Sequence, residues 1–359
     1  MLDTTEGSAM DQEKMEAFVG KVLGDTSATM TSILAILGDR LGLFKDLAAN
    51  GATTAAELAK RTNTNERYAR EWLGGMVTAG YIDYDSESET FTMPEEHAPA
   101  LAQEGGPVFF GGIYHMLPGM IGVLDRVEES FKNGGGVHQS EYHPSWWDGM
   151  ERFTQGWFDN LLVQEWIPAM PGIKAKLEAG ATMADVGCGR GRALIKLAEA
   201  FPRSSFVGYD AFGPTIELAN QKAKDAGVAE RVHFEERDGA KGLPQNYDII
   251  STFDVVHDAV DPGGLIKGIR ESLNDGGTYI CLDVNCSDKL EENVGPLGAM
   301  FHGFSMMYCM TTSLANDGAG LGPLGLHVPK LKELAKEAGF SDVNIVLETP
   351  FNKLYELTP

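Results

Sequence analysis

The chain has 359 residues, with 52 acidic against 29 basic side chains and a formal charge of −23. That balance works against binding phosphate backbones or anionic membranes, and it leaves the fold open. No run of about 18 apolar residues occurs, so no helical membrane span is expected, and the length suits about two domains.

In chain order, the opening stretch MLDTTEGSAMDQEK is polar and acidic, without the basic-then-apolar pattern of a leader. Residues 11–50 carry apolar side chains at helical period, among them Phe18, Val22, Leu23, Ile33, Leu34, Leu37, Leu41 and Phe44. This is more apolar surface than one small domain buries, and a homodimer through these helices is expected. From Thr53 a helix–turn–helix pattern follows. Thr54 and Glu57 form a capping-box signature, a turn falls at 63–65, and Trp72, Leu73, Met76 and Val77 make one stripe. Two short apolar pairs around a polar tip at 85–89 read as a wing. Residues 53–97 hold four basic and nine acidic side chains, whereas a DNA-binding winged helix should be basic. Residues 1–97 therefore read as a helical, winged-helix dimerisation domain, with no nucleic-acid partner expected.

Residues 98–170 are rich in glycine and aromatics and read as linker helices forming part of a substrate pocket. Tyr114, His115, Tyr142, Trp147 and His143 carry polar tips that need partners when buried. The glycines at 134–136 read as a flexible joint. Residues 171–359 alternate strand and helix, which implies a mainly parallel sheet of α/β class. Candidate strands fall at 182–186, 205–210, 231–235, 247–252 and 277–283, and the tail reads as two strands joined by a tight turn.

At the first of these strands, TMADVGCGRGRALIKL places Asp185 before Gly187, Gly189 and Gly191, and a helix follows. Bare backbone at such a turn lets a ligand approach closely. A dinucleotide fingerprint would place its third glycine at 192, where Arg192 stands, so a nicotinamide oxidoreductase is the weakest reading. The pattern D-x-G-x-G-x-G resembles motif I of class I S-adenosyl-L-methionine (SAM) methyltransferases. With FDVVHDAVDP it makes the chain resemble mycobacterial-type small-molecule methyltransferases that carry an N-terminal winged helix. The resemblance implies a Rossmann-like, seven-stranded methyltransferase domain closed by an antiparallel hairpin, with SAM as cofactor and a small-molecule substrate. It further implies that residues 187–191 bound the methionine moiety, that Asp210 takes the ribose hydroxyls, that Asp238 accepts from the adenine amino group, and that Phe253 lines the sulfonium side; Asp185, Cys188, Ala211, Gly239 and Asp254 are further candidate cofactor contacts at this turn and at the strand ends.

His257, in a His-Asp pair, stands where hydroxyl-methylating relatives keep a general base, and imidazole has a pKa suited to that work. The alternative is methylation of a thioether or thiol, which needs no base; a winged-helix regulator is a third reading. Phe301, Phe304, Met307 and Met310 recur at helical spacing, with His302 and Tyr308 as polar tips able to roof a substrate. Residues 317–325 read as a glycine-rich hinge. Cys188, Cys281, Cys286 and Cys309 show neither C-x-x-C pairing nor a disulfide framework, which suits a reducing, cytoplasmic setting with no metal.

Overall fold

The computed structural model describes residues 10–359; the acidic opening at 1–9, read above as lacking a leader pattern, lies outside the described residues. The chain divides into two compact units, one extending to His115 and one formed by Met116–Pro359. The predicted linker at 98–170 thus contributes residues to both.

In the first unit, α1 (Gln12–Arg40) starts at Asp11, whose side chain accepts from the Lys14 N–H. Gly42, at φ 70°, turns the chain into α2 (Leu43–Asn50). The Thr54–Glu57 capping box opens α3 (Ala55–Thr62), and Asn65 caps α4 (Glu66–Thr78). The wing is β1 (Asp83–Asp85) paired with β2 (Thr90–Thr92), with Tyr84 opposite Phe91. Phe44, Leu47, Leu58, Trp72, Leu73 and Met76 form the core. The Trp72 indole donates to the Leu34 carbonyl at 2.8 Å, which locks α4 onto α1.

The second unit is built on a seven-stranded sheet of order β5-β4-β3-β6-β7-β9-β8. Its strands are β3 (Thr182–Val186), β4 (Ser205–Asp210), β5 (Val232–Glu236), β6 (Tyr247–Phe253), β7 (Leu273–Val284), β8 (Asp342–Glu348) and β9 (Asn352–Thr358). All pairings are parallel except those of β9, which runs antiparallel to β7 and β8. Side chains alternate along each strand, so Met183, Phe206, Ile249 and Ile280 face one helical layer. Ala184, Val207, Ile250 and Tyr279 face the other. The strand order reverses between β3 and β6, and the crevice beyond their carboxyl ends is where such sheets bind ligands.

Three sequence readings change here. The segment around Phe301 is not one regular helix: Pro296–Phe304 is α-helical, Ser305–Cys309 is a π-turn, and Met310–Leu314 resumes the α form. The expected hinge at 317–325 is tied down instead. Ala319 N–H donates to Val260 O at 2.9 Å, Gly320 N–H to Ser313 Oγ at 3.1 Å, and Gly322 N–H to His257 O at 3.1 Å. The joint at 134–136 is likewise anchored at its end, where a Cβ on Gly136 would lie 1.9 Å from the Thr311 carbonyl oxygen. In both places glycine serves close approach.

Candidate active site

The glycine turn after β3 holds Gly187, Gly189 and Gly191 at φ 74°, 52° and 79°, a region that side-chain-bearing residues rarely adopt. Its amides are already used. Gly187 and Cys188 donate to Tyr209 O at 2.7 and 3.0 Å, and Gly189 donates to Asp210 Oδ2 at 2.8 Å. The other oxygen of Asp210 accepts from Phe212 N–H at 2.8 Å. The turn therefore orients Asp210 and offers a surface without side chains. Gly191 serves packing instead, since it opens the helix Arg192–Ala200 and a Cβ there would lie 2.3 Å from the Phe234 ring.

Three carboxyls line this end of the cavity. Burial, aided by the charge of Asp210, pushes Asp185 up to about 7, although Ser251 Oγ donates to it at 2.6 Å. Burial also raises Asp210 against its two amide donors. Asp254 sits at φ 54° after β6, accepts from Asn352 Nδ2 at 2.8 Å, and is pushed up to about 8 by burial and then by Asp283. Buried carboxyls raised in this way are stabilised by a cation placed among them. Asp238, half-exposed at the rim, accepts from Ala240 N–H at 3.0 Å.

His257 is 4 % exposed, on a short turn after β6. Its Nδ1 lies 2.6 Å from Asp283 Oδ1 on β7. Its Nε2 lies 3.1 Å from Asp258 Oδ1, yet that oxygen receives no aligned hydrogen bond. Burial alone would push the imidazole down, but the charges of Asp283 and Asp258 outweigh it and hold His257 well above the usual histidine range. The His257, Asp258 and Cys309 side chains bring nitrogen, oxygen and sulfur atoms within 4.8 Å of one another.

One cavity of about 710 Å³ joins these groups to an aromatic wall, a size within the span of ligand pockets. Trp147 stacks on Phe212 at 4.8 Å between ring centroids, and Trp146 packs on Tyr308 at 4.2 Å. The helix Ser145–Trp157 carrying both tryptophans is clamped to the glycine turn. Arg190 pairs with Asp148 at 2.8 Å and with Glu151 at 2.9 Å, while Lys222 pairs with Glu151 from another helix. Arg192 holds Asp159 at 2.9 Å on the adjoining π-helix Phe158–Trp166.

Residues 177–339 match the model of the methyltransferase domain, and residues 28–103 match that of the Rv2258c-like winged HTH domain. Residues 177–339 are thus a methyltransferase domain, preceded in the chain by a winged-helix domain. SAM is the methyl donor of this family, and the side-chain-free turn and the three raised carboxyls fit a sulfonium cation. A ubiquinone biosynthesis O-methyltransferase of Pseudomonas savastanoi pv. phaseolicola is 26% identical over 145 residues, 40% of this chain and 60% of that protein. The chain thus spans less than two thirds of that relative's length. Aclacinomycin 10-hydroxylase RdmB of Streptomyces purpurascens is 25% identical over 246 residues, 65% of this chain and 64% of that one. The structure of human N-acetylserotonin methyltransferase in complex with SAM superposes with a TM-score of 0.69 at 16% identity, covering 98% of this chain and 99% of that one.

Of the donor residues predicted from the sequence, Asp185, Gly187, Cys188, Gly189, Asp210, Ala211, Asp238, Gly239, Phe253 and Asp254 all line the cavity, together with His257. Gly191 stands behind it. Trp147 and Tyr308 line it too, in its aromatic wall. Tyr142 is outside the lining, buried beneath it, where its hydroxyl donates to Met307 O at 2.6 Å. His302 is exposed and outside the lining, because one step along the helix from Phe301 rotates a side chain by about 100°. Tyr114 and His115 belong to the first unit, where the Tyr114 and Tyr81 hydroxyls meet at 3.1 Å.

Sequence reasoning missed Asp283 and the arginine clamp. A lone carboxylate inside the buried run YICLDV was a readable signal, since such a group needs a partner. The pairing of Arg190 with Asp148 and Glu151 spans about forty residues and leaves no local mark.

Proposed function

We propose that this protein methylates a hydroxyl of a small acceptor, with SAM as donor and His257 as general base. The observation that carries the reading is the Asp283–His257 pair in the wall of the donor cavity, with Nε2 turned to a side where Asp258 makes no aligned hydrogen bond. SAM supplies an electrophilic methyl on a sulfonium. The chain's residues do the rest. Asp283 fixes the imidazole ring through Nδ1 and leaves Nε2 to meet the acceptor hydroxyl. Before acceptor enters, the flanking carboxylates keep the ring charged. A base needs the neutral ring, so turnover should rise as pH rises through the His257 pKa. The aromatic wall excludes water and holds the acceptor in line, which supplies much of the rate in a displacement at carbon. The test is methyl-labelled SAM incubated with metabolite extracts, followed by mass spectrometry. Label on a hydroxyl compound is the expected outcome; label confined to sulfur compounds, or absent, defeats the reading.

The first unit is proposed as the dimer element. Met15, Phe18, Val22, Met30, Ile33, Leu37 and Leu41 stand exposed on or just beyond α1, at spacings of three, four, seven or eight residues. Among the described residues no helix is long and apolar enough to cross a membrane, so this stripe suits a second copy of the same helix. Light scattering should give twice the chain mass, and Ile33→Asp with Leu37→Asp should halve it. A wild-type monomer at tens of micromolar would end the proposal. The acidic wing supports no nucleic-acid partner, and four free cysteines suit a reducing cytoplasm.

A further inference from the structure

Trp146 is 1 % exposed and lines the cavity, yet its indole N–H has no aligned hydrogen-bond acceptor. A fully buried N–H without a partner is uncommon and costs stability, so it marks a place where an absent group completes the bonding. Its neighbour is Tyr308, whose ring lies 4.2 Å away and whose hydroxyl accepts from Gln139 Nε2 at 3.2 Å. Burial, and then the charge of Asp258, raise the Tyr308 phenol well above its usual value; the Trp146 N–H, within hydrogen-bonding range of the phenol oxygen though not aligned on it, acts the other way and is outweighed. The phenol therefore stays protonated and keeps a hydrogen to donate. An N–H and an O–H thus stand together at the acceptor end. They are adjacent to the base, because Cys309, next in the chain to Tyr308, brings its sulfur within 4.8 Å of the His257 and Asp258 atoms.

We propose that Trp146 and Tyr308 form a subsite for a neutral carbonyl oxygen, and that the acceptor is a flat aromatic hydroxy-ketone or hydroxy-quinone whose carbonyl lies beside the hydroxyl to be methylated. This deepens the function proposed above and rests on it for the reacting hydroxyl. One carbonyl oxygen has two lone pairs and can receive both donors. An anionic oxygen is disfavoured, since Asp258 and Asp210 both act on Tyr308 and would repel a carboxylate or phosphate. Flatness follows from the walls: Trp147 stacked on Phe212, and Trp146 tilted over Tyr308 by 34°. The π-turn Ser305–Cys309 sets this arrangement, and Gly136 and Val137 hold it by seating against Thr311.

The test compares 1-hydroxyanthraquinone, with its carbonyl beside the hydroxyl, and 1-hydroxyanthracene, which lacks it, by calorimetric titration of the full chain saturated with S-adenosylhomocysteine. The quinone should bind about tenfold more tightly, the scale of one or two neutral hydrogen bonds. Trp146→Phe should erase most of that preference by weakening the quinone alone. Tyr308→Phe, which keeps every ring contact, should erase part of it and decides the matter if Trp146→Phe does not fold. Equal affinity of the two probes for the wild type, no binding of either, or equal weakening of both by the variants would overturn the subsite. Label transfer to hydroxyls without carbonyl preference would remove this inference and leave the methylation reading standing. Carbonyl preference without any label transfer would do the reverse.

Discussion

His257→Ala is expected to lower turnover about 100-fold or more, while leaving SAM affinity within a few-fold of the wild type. A positioned base contributes roughly 10²–10⁴ in rate, and His257 is the imidazole in the cavity with a carboxylate holding its far nitrogen. Asp283→Asn should cost less, because the ring stays in place while its preferred tautomer and its raised pKa are lost. The pH profile separates these roles. In the wild type the rate should climb with pH as the imidazolium gives up its proton, and in Asp283→Asn the climb should move to lower pH. In His257→Ala it should vanish. Sulfur methylation predicts something else: a thioether needs no proton removed, so turnover by His257→Ala would stay near wild type and vary little with pH. Product mass and rate measured from pH 6 to pH 9 choose between the two.

Much of this architecture could be read from residues whose local chemistry is self-sufficient. The capping box at Thr54 and Glu57, the apolar runs of β3, β4 and β6, and the acidic residues at strand ends state their roles within a few positions, so sequence alone reaches them. The strand order did not follow from periodicity, and the resemblance at the glycine turn implied only a seven-stranded sheet closed by an antiparallel hairpin. What stayed hidden depends on distance. Nothing near Arg190 announces Asp148 and Glu151, and nothing near His257 announces Asp283, twenty-six residues on. The helical spacing of Phe301, Phe304, Met307 and Met310 was real, but a π-turn adds a residue to the cycle and changes which side chains face inward. That is why Tyr308 reaches the cavity, whereas His302, in the α-helical part before the π-turn, is turned outward by its place one step from Phe301. Glycines misled for a physical reason too: a missing side chain permits motion, and it equally permits the contact between Gly136 and the Thr311 backbone.

The similarities constrain the acceptor less than the donor. A chain named for ubiquinone biosynthesis and another named a hydroxylase both align here at about a quarter identity. Reaction and acceptor are set by what surrounds the donor crevice, not by the shared fold. In this protein those surroundings are the two tryptophans, the π-turn and the clamp of arginines. Because Arg190 lies inside the glycine turn and Arg192 opens the helix after it, and the two hold the tryptophan-bearing helix and the adjoining π-helix, order at the glycine turn and order at the aromatic wall are mechanically linked.

Discrimination between SAM and its demethylated product should therefore depend on pH, and the sign follows from the buried carboxyls. Asp185 at about 7 and Asp254 at about 8 are held neutral by burial, each further raised by a neighbouring carboxylate: Asp210 for the first, Asp283 and then Asp258 for the second. Ser251, His257 and Asn352 act the other way and favour the ionised forms. A folded pKa above the unfolded value means the folded protein holds the proton more tightly. These two groups thus favour folding most at low pH, and that contribution declines as pH rises from the unfolded value near 4 through about 7 to 8. A sulfonium placed among them reverses the preference, whereas neutral S-adenosylhomocysteine leaves it unchanged. The SAM-to-product affinity ratio should accordingly rise about tenfold between pH 6 and pH 9, corresponding to about one pKa unit of coupling. Asp254→Asn should flatten the upper part of that rise while the affinity for S-adenosylhomocysteine stays nearly constant. Calorimetry in buffers of different ionisation enthalpy should also record proton release with SAM and little with the product. A ratio independent of pH in the wild type would mean that the methyl-bearing sulfur does not lie near these carboxyls, and the role assigned to Asp254 would fall.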